Sequence, residues 1–313
     1  MREVMIAVVM LAAGFVLLIK GADFFVEGSS SVAKMLRIPA MIIGLTIVAM
    51  GTSLPECAVS VTASLAGNNE LAVSNAVGSN IFNLMVVAGS CSLFMPLAIH
   101  QKTLKREMPF SILCAVLLLV MGYLGMSLGH GDGVVLMAVF IIYLIMMVRS
   151  AMHSREEIEV EEYEILPAWK CVLFILGGGI AIKFGGDFVV EGASSVAEMA
   201  GLSQNLIGLT ILAMGTSLPE LVTSIVAARK GEVDMAMGNV IGSNIFNILL
   251  VLGVASAISP INFVMENVID IILLILMSLL ACYFAGTKRK LERKEGIVML
   301  SVYAAYMVYI CVR

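Results

Sequence analysis

The chain has 313 residues, of which 60% are apolar and only 13% charged, with a net charge of -4 and a mean hydropathy of +1.02. A soluble domain needs about a quarter of its residues charged to cover its surface, so lipid rather than water must solvate most of this one. The short loops flanking the apolar stretches hold the basic residues, and no basic patch of the nucleic-acid-binding type appears elsewhere.

Taken in chain order, stretches apolar enough to cross a ~30 Å hydrocarbon core predict ten spans, at 4–30, 40–66, 70–97, 108–129, 133–149, 168–197, 204–228, 233–258, 267–286 and 296–312. The first runs from Val4 past Ile19 into Phe24, Phe25 and Val26 without a small-residue cleavage site, which predicts a retained span rather than a signal peptide. Asp23 and Glu27 near the far end of span one, like Asp187 and Glu191 in span six, are expected to line ion-access vestibules or to be solvated, not to ligate ions. Between spans five and six lies the only clearly polar connector, 150–164, with six glutamates. Cys57, Cys91, Cys114, Cys171, Cys282 and Cys311 all fall in apolar stretches without metal-ligand spacing and read as buried free thiols.

Lysine and arginine favour cytoplasmic loops, and here they alternate. The odd-numbered connectors carry 15 of the 19 basic residues, among them Lys34, Arg106, Lys230 and Lys288, and the even ones carry none. A wrong span count would scramble this alternation. It predicts that both termini face away from the cytoplasm.

The chain also repeats itself. Residues 44–56 match residues 208–220 at 12 of 13 positions, residues 21–35 resemble 185–199, and Asn75 to Asn83 resembles Asn239 to Asn247, all at one offset of 164. Residues 1–149 are therefore expected to form one unit and 165–313 the other, joined by the acidic connector. Five spans per unit is an odd number, so the second unit threads the membrane upside down. The predicted fold is all-α and membrane-integral: ten helices as two inverted five-helix repeats, an arrangement that places a transporter's substrate at the midplane.

The most similar segments are polar. Glu56 and Glu220 sit deep in spans two and seven, where a carboxylate costs about 2.5–3.5 kcal/mol or more. Lys20 and Lys183 occupy non-equivalent places in the repeat, so bound cations account for the symmetric pair better than a basic side chain does. Pro55 and Pro219 lack an N–H, and each is expected to bend its helix and free a carbonyl one turn earlier. Thr52, Ser53, Thr216 and Ser217 add hydroxyls in the same turn, and Ser79 with Asn83, like Ser243 with Asn247, share one helix face at a spacing of four. An all-oxygen set without histidine or cysteine selects hard cations such as sodium and calcium. Two bidentate carboxylates and one freed carbonyl per repeat supply six oxygens, within the six to eight that calcium accepts.

The paired Gly-Thr-Ser-Leu-Pro-Glu runs (Gly51 to Glu56, Gly215 to Glu220) and Gly-Ser-Asn-Ile-Phe-Asn runs (Gly78 to Asn83, Gly242 to Asn247) resemble the two alpha-repeats of the sodium/calcium exchanger family, within the calcium:cation antiporter superfamily. The ten-span layout resembles that of its prokaryotic members over the whole chain. The resemblance implies cation ligands at Ala49, Thr52, Ser53, Glu56, Ser79 and Asn83, and at Ala213, Thr216, Ser217, Glu220, Ser243 and Asn247, with both alanines acting through main-chain oxygen. It implies four adjacent sites, antiport of about three sodium ions per calcium across the cytoplasmic membrane, no cofactor and no obligatory protein partner. Some relatives, potassium-dependent exchangers among them, carry aspartate where this chain has Asn247, which argues against potassium coupling here.

Two other readings of the glutamate pair stay open on sequence alone. Carboxylates in a low dielectric hold protons, which allows calcium/proton antiport. An intramembrane hydrolase with a Glu56–Glu220 dyad is the third, although a dyad needs neither a surrounding ring of oxygens nor an inverted repeat.

Overall fold

Hydrocarbon offers the backbone no hydrogen-bond partner, so chain that crosses it must satisfy its own N–H and C=O groups. The computed structural model describes residues 2–66, 69–154, 166–201, 211 and 213–312, and these are helical almost throughout. Helix α1 (Arg2–Leu36) has 35 residues, about 50 Å of helix at 1.5 Å per residue, and outruns a ~30 Å hydrocarbon core. Next come α2 (Ala40–Thr52) and α3 (Leu54–Leu65), a pair bent by 48°. The chain continues through α4 (Leu71–Phe94) and α5 (Thr103–Gly125), α6 (His130–Ser154) and α7 (Ala168–Met199). After the short turn Ala213–Gly215 come α8 (Leu218–Arg229), α9 (Val233–Ile258), α10 (Met265–Lys288) and α11 (Arg293–Val312).

Among the described residues, eight helices are long and apolar enough to cross a membrane, or nine if the bent pair counts as one span. The seventh expected span, 204–228, lies partly outside the described residues, and α8 forms its second part. The six glutamates of the acidic connector also lie outside them, whereas residues 150–154 continue α6. Helix α1 continues beyond the expected span 4–30 to Leu36, and on its surface Lys20 lies 3.9 Å from Asp23 one turn away.

The bend falls where proline chemistry puts it. Pro55 opens α3 without an N–H to continue the ladder, and Ser53 leaves helical geometry at φ −86°, ψ 10°. Ser217, ahead of Pro219, adopts nearly the same conformation at φ −93°, ψ 4°. One short sequence thus produces one backbone break in each half.

Burial sorts the helices. In the most apolar stretch of α4, 72% of residues are buried, and in α9 78%, against 17–44% for the other six single-helix spans. These two helices therefore form the centre, and their neighbours turn large apolar side chains such as Leu65, Leu124 and Val312 outward. Glycine allows the closest approaches, as in many membrane bundles. A Cβ on Gly178 of α7 would lie 2.7 Å from the Gly21 carbonyl of α1, and one on Gly44 of α2 would lie 2.5 Å from the Met235 carbonyl of α9.

Two short antiparallel ribbons close the ends. Leu97–Ala98 pairs with Lys290–Leu291, and Ser127–Leu128 with Ile261–Asn262. The first-half strands flank α5 at its two ends, so each end of that helix is stitched to the second half of the chain.

The α1–α7 contact is directly testable. Gly178→Val forces a side chain into the α1 backbone, and overpacking of this kind costs about 1–3 kcal/mol. Gly177 has no atom within 4 Å of an added Cβ, so Gly177→Val is expected to leave the melting temperature in detergent unchanged while Gly178→Val lowers it. Equal melting temperatures for the two variants would remove the contact from the account of stability.

Candidate cation-binding site

Glu56 lies in the first turn of α3 and Glu220 in the first turn of α8, where the positive end of the helix dipole favours a carboxylate. Both are fully buried, and they are close enough to interact electrostatically. Neither has a basic partner among the described residues: Lys20 pairs with Asp23, and Lys183 with Asp187. Removing one partner of a buried charge leaves a penalty of several kcal/mol, about 3–5 in measured cases. Here two such charges stand together with no cationic side chain.

Hydrogen bonds around the two glutamates come in matched pairs, the serine bonds crossing between the halves and the asparagine bonds staying within each. The Ser53 hydroxyl donates to Glu220 Oε1 at 2.8 Å, and the Ser217 hydroxyl donates to Glu56 Oε1 at 3.1 Å. Asn75 donates to the Glu56 main-chain carbonyl at 3.3 Å and to Ser60 Oγ at 3.1 Å. Asn239 does the same for Glu220 and Ser224, at 3.4 and 2.9 Å. These amides fasten the glutamate-bearing helices α3 and α8 to α4 and α9. The Thr52 hydroxyl lies 3.1 Å from Asn239 Oδ1 and 3.1 Å from the Val48 carbonyl. Ser243 lies 3.5 Å from Glu220 Oε1.

What remains unpaired defines the chemistry. Glu56 Oε2, Glu220 Oε2, Ser79 Oγ, Asn83 Oδ1, Thr216 Oγ1 and Asn247 Oδ1 are all buried without a hydrogen-bond partner. Ser79 lies beside the Glu56 carboxylate without meeting hydrogen-bond geometry. Buried polar atoms are almost always satisfied, so these six unpaired oxygens, three from each half, are candidates to coordinate a cation. Each carboxylate also has one oxygen engaged by the opposite serine. Asn83 and Asn247 each open a five-residue π turn, Asn83–Val87 and Asn247–Val251, a local widening that recurs at functional sites.

The Ala49 carbonyl accepts the Ser53 N–H at 3.0 Å, and the Met214 carbonyl accepts the Ser217 N–H at 3.2 Å. The four acidic residues of α1 and α7 differ. Asp187 and Glu191 line a cavity of about 300 Å³ with Thr216, Lys183 and Pro219. Asp23 and Glu27 are instead held by Lys230, at 3.6 and 3.7 Å. A larger, mostly apolar cavity of about 510 Å³ reaches Thr52, Pro55 and Pro219 from the side of Phe25 and Gly179.

Four asparagines were not singled out from the sequence, namely Asn75 and Asn80 with their counterparts Asn239 and Asn244. All four lie in the repeated run at the same offset. A polar residue retained twice in an otherwise apolar span was the available signal.

Among the described residues no three or more His, Cys, Asp or Glu side chains cluster to hold a metal. Oxygen ligands with only two carboxylates suit a hard, exchangeable cation and not zinc or copper. A membrane-crossing helical bundle built around such a buried oxygen cage is a transporter of cations. Its family follows from comparison. The family model described as sodium/calcium exchanger protein matches residues 6–149 and 170–312, and the chain belongs to that family, whose members are antiporters and not enzymes. It is 40% identical to a putative antiporter, CaxA, of Alkalimonas amylolytica, covering 96% of this chain and 98% of that one. It is 31% identical to the sodium/calcium exchanger MaX1 of Methanosarcina acetivorans, covering 95% and 96%. A solved structure of the sodium-calcium exchanger NCX_Mj, soaked with sodium and strontium, superposes with a TM-score of 0.86 at 32% identity, covering 97% of this chain and 98% of that one.

Asn75→Leu and Asn239→Leu each remove a donor that holds a half-helix and leave a carbonyl and a serine hydroxyl unpaired. A buried unpaired group costs about 1–3 kcal/mol, so both variants are expected to melt earlier in detergent. Melting at the native temperature would show that the two amides do not fasten α3 and α8.

Proposed function

We propose that this protein is a secondary antiporter that exchanges sodium for calcium, about three to one, across the cytoplasmic membrane by alternating access. The observation that carries the reading is the pair of buried carboxylates without a basic partner among the described residues, together with unpaired buried hydroxyl and amide oxygens from both halves. One calcium ion or two or more sodium ions neutralise the pair equally well, and the doubly anionic empty site is too costly to carry across the bilayer. Binding of either cargo excludes the other, which is the physical basis of exchange. Family membership and the names of the sodium/calcium-exchanging relatives support the choice of cargo.

In this proposal the ligands are Thr52, Ser53, Glu56, Ser79 and Asn83, their counterparts Thr216, Ser217, Glu220, Ser243 and Asn247, and the main-chain oxygens of Ala49 and Ala213. The chain forms ten spans as two inverted units, 1–149 and 165–313, with both termini outside the cytoplasm. The matched hydrogen bonds at a constant offset support that symmetry, Ser53 and Ser217 across the halves and Asn75 and Asn239 within each, and so does the alternation of basic residues. Asp187 and Glu191, which share a cavity with Thr216, serve as one ion-access vestibule.

Proteoliposomes loaded with sodium are expected to take up calcium-45. Uptake at the same rate from an outward proton gradient without sodium would select the calcium/proton alternative instead. Glu56→Gln and Glu220→Gln are each expected to abolish exchange, and full activity in either variant removes that residue from the ligand set. Asn247→Asp adds a charge to the site and is expected to change the cation dependence; an unchanged ion profile counts against Asn247 as a ligand.

A further inference from the structure

An asparagine amide has two unlike ends. Its oxygen attracts a cation and its NH2 group repels one, while the two ends have nearly the same shape. A site that uses an asparagine oxygen therefore needs something to hold the NH2 end elsewhere.

The structure holds such a device on one side of the site. Asn80 of α4 donates from Nδ2 to the Asn244 main-chain carbonyl of α9 at 3.0 Å, and Asn244 donates back to the Asn80 carbonyl at 3.2 Å. With its NH2 end fixed in this way, Asn80 presents Oδ1, which accepts from Asn247 Nδ2 at 3.1 Å. Asn247 Oδ1 is left unpaired. All three asparagines are buried, at 0%, 3% and 0% exposure for Asn80, Asn244 and Asn247, so water does not compete for these bonds. The mirror-image bond is not made: Asn83 Nδ2, Asn83 Oδ1 and Asn244 Oδ1 all lack partners. The orienting contact therefore belongs to Asn247 and not to Asn83.

We infer that Asn80 is a positioning residue that accepts the Asn247 amide N–H and thereby turns the Asn247 oxygen, rather than its NH2 group, toward the cation. This rests on the proposed reading of Asn247 as a ligand. Asn80 itself touches no ion. It decides which end of its neighbour does.

The test is a double-mutant cycle on calcium binding to the purified full-length protein, measured by titration calorimetry with calcium alone. The Asn247→Asp variant has no NH2 end and needs no acceptor. Asn80→Ala is expected to weaken calcium binding roughly tenfold in the native background, the size expected when a buried donor loses its partner. In the Asn247→Asp background the same change is expected to cost less than about twofold, since only the bond to Asn244 is lost. An equal fold-loss in both backgrounds overturns the inference, because a purely structural role is blind to residue 247. Loss of calcium binding by Asn247→Asp alone also overturns it, since that variant still offers the oxygen. Asn244→Ala breaks the other α4–α9 bond and is expected to combine additively with Asn247→Asp. If Asn80→Ala is not monodisperse in detergent, Asn80→Leu removes the same acceptor while filling the space. A native protein that binds no calcium sinks the exchanger reading itself, and that result is visible before any variant is made.

Discussion

Everything around the site answers to one constraint: two carboxylates are held in a low-dielectric interior with no basic side chain among the described residues to pair them. Glu56 and Glu220 open their helices at the positive ends of the dipoles, each takes a hydroxyl from the opposite half, and each main-chain carbonyl is fastened by an asparagine. None of these contacts supplies a full positive charge. They reduce the penalty and fix the geometry, and a deficit remains for the proposed cargo cation to remove. A lysine at the centre would make the same fold more comfortable and useless as an exchanger.

Much of this was legible in the sequence, because the signals were chemical extremes. Proline without an N–H announced the breaks before α3 and α8, and a glutamate far into an apolar stretch announced burial. The constant offset of 164 announced that the two breaks belong together. What was illegible depended on which helix faces which. Asn80 and Asn244 look alike in sequence, yet one orients Asn247 and the other leaves its own oxygen unpaired. The π turns beginning at Asn83 and Asn247 leave no compositional trace, since widening a turn by one residue changes no residue type.

The two halves are near copies that do not behave as copies. Asp23 and Glu27 are engaged by Lys230, while Asp187 and Glu191 open onto a cavity. The counterpart of Lys230 at the same offset is Ala66, so the first half has no lysine to make the matching contact. An exchanger must distinguish its two faces at any moment, and differences of this kind between duplicated halves give a single conformation its direction.

The two ribbons bear on how such a chain comes to exist. Leu97–Ala98 and Ser127–Leu128 find their partners only in Lys290–Leu291 and Ile261–Asn262, segments that leave the ribosome long after the first half is complete. Until then the strands at the ends of α5 have no partner. Although its sequence reads as two tandem units, the pairings that close those ends join segments far apart along the chain, the kind of contact that forms slowly. Cutting the gene between the repeats would separate the sequences cleanly and leave both products unfinished.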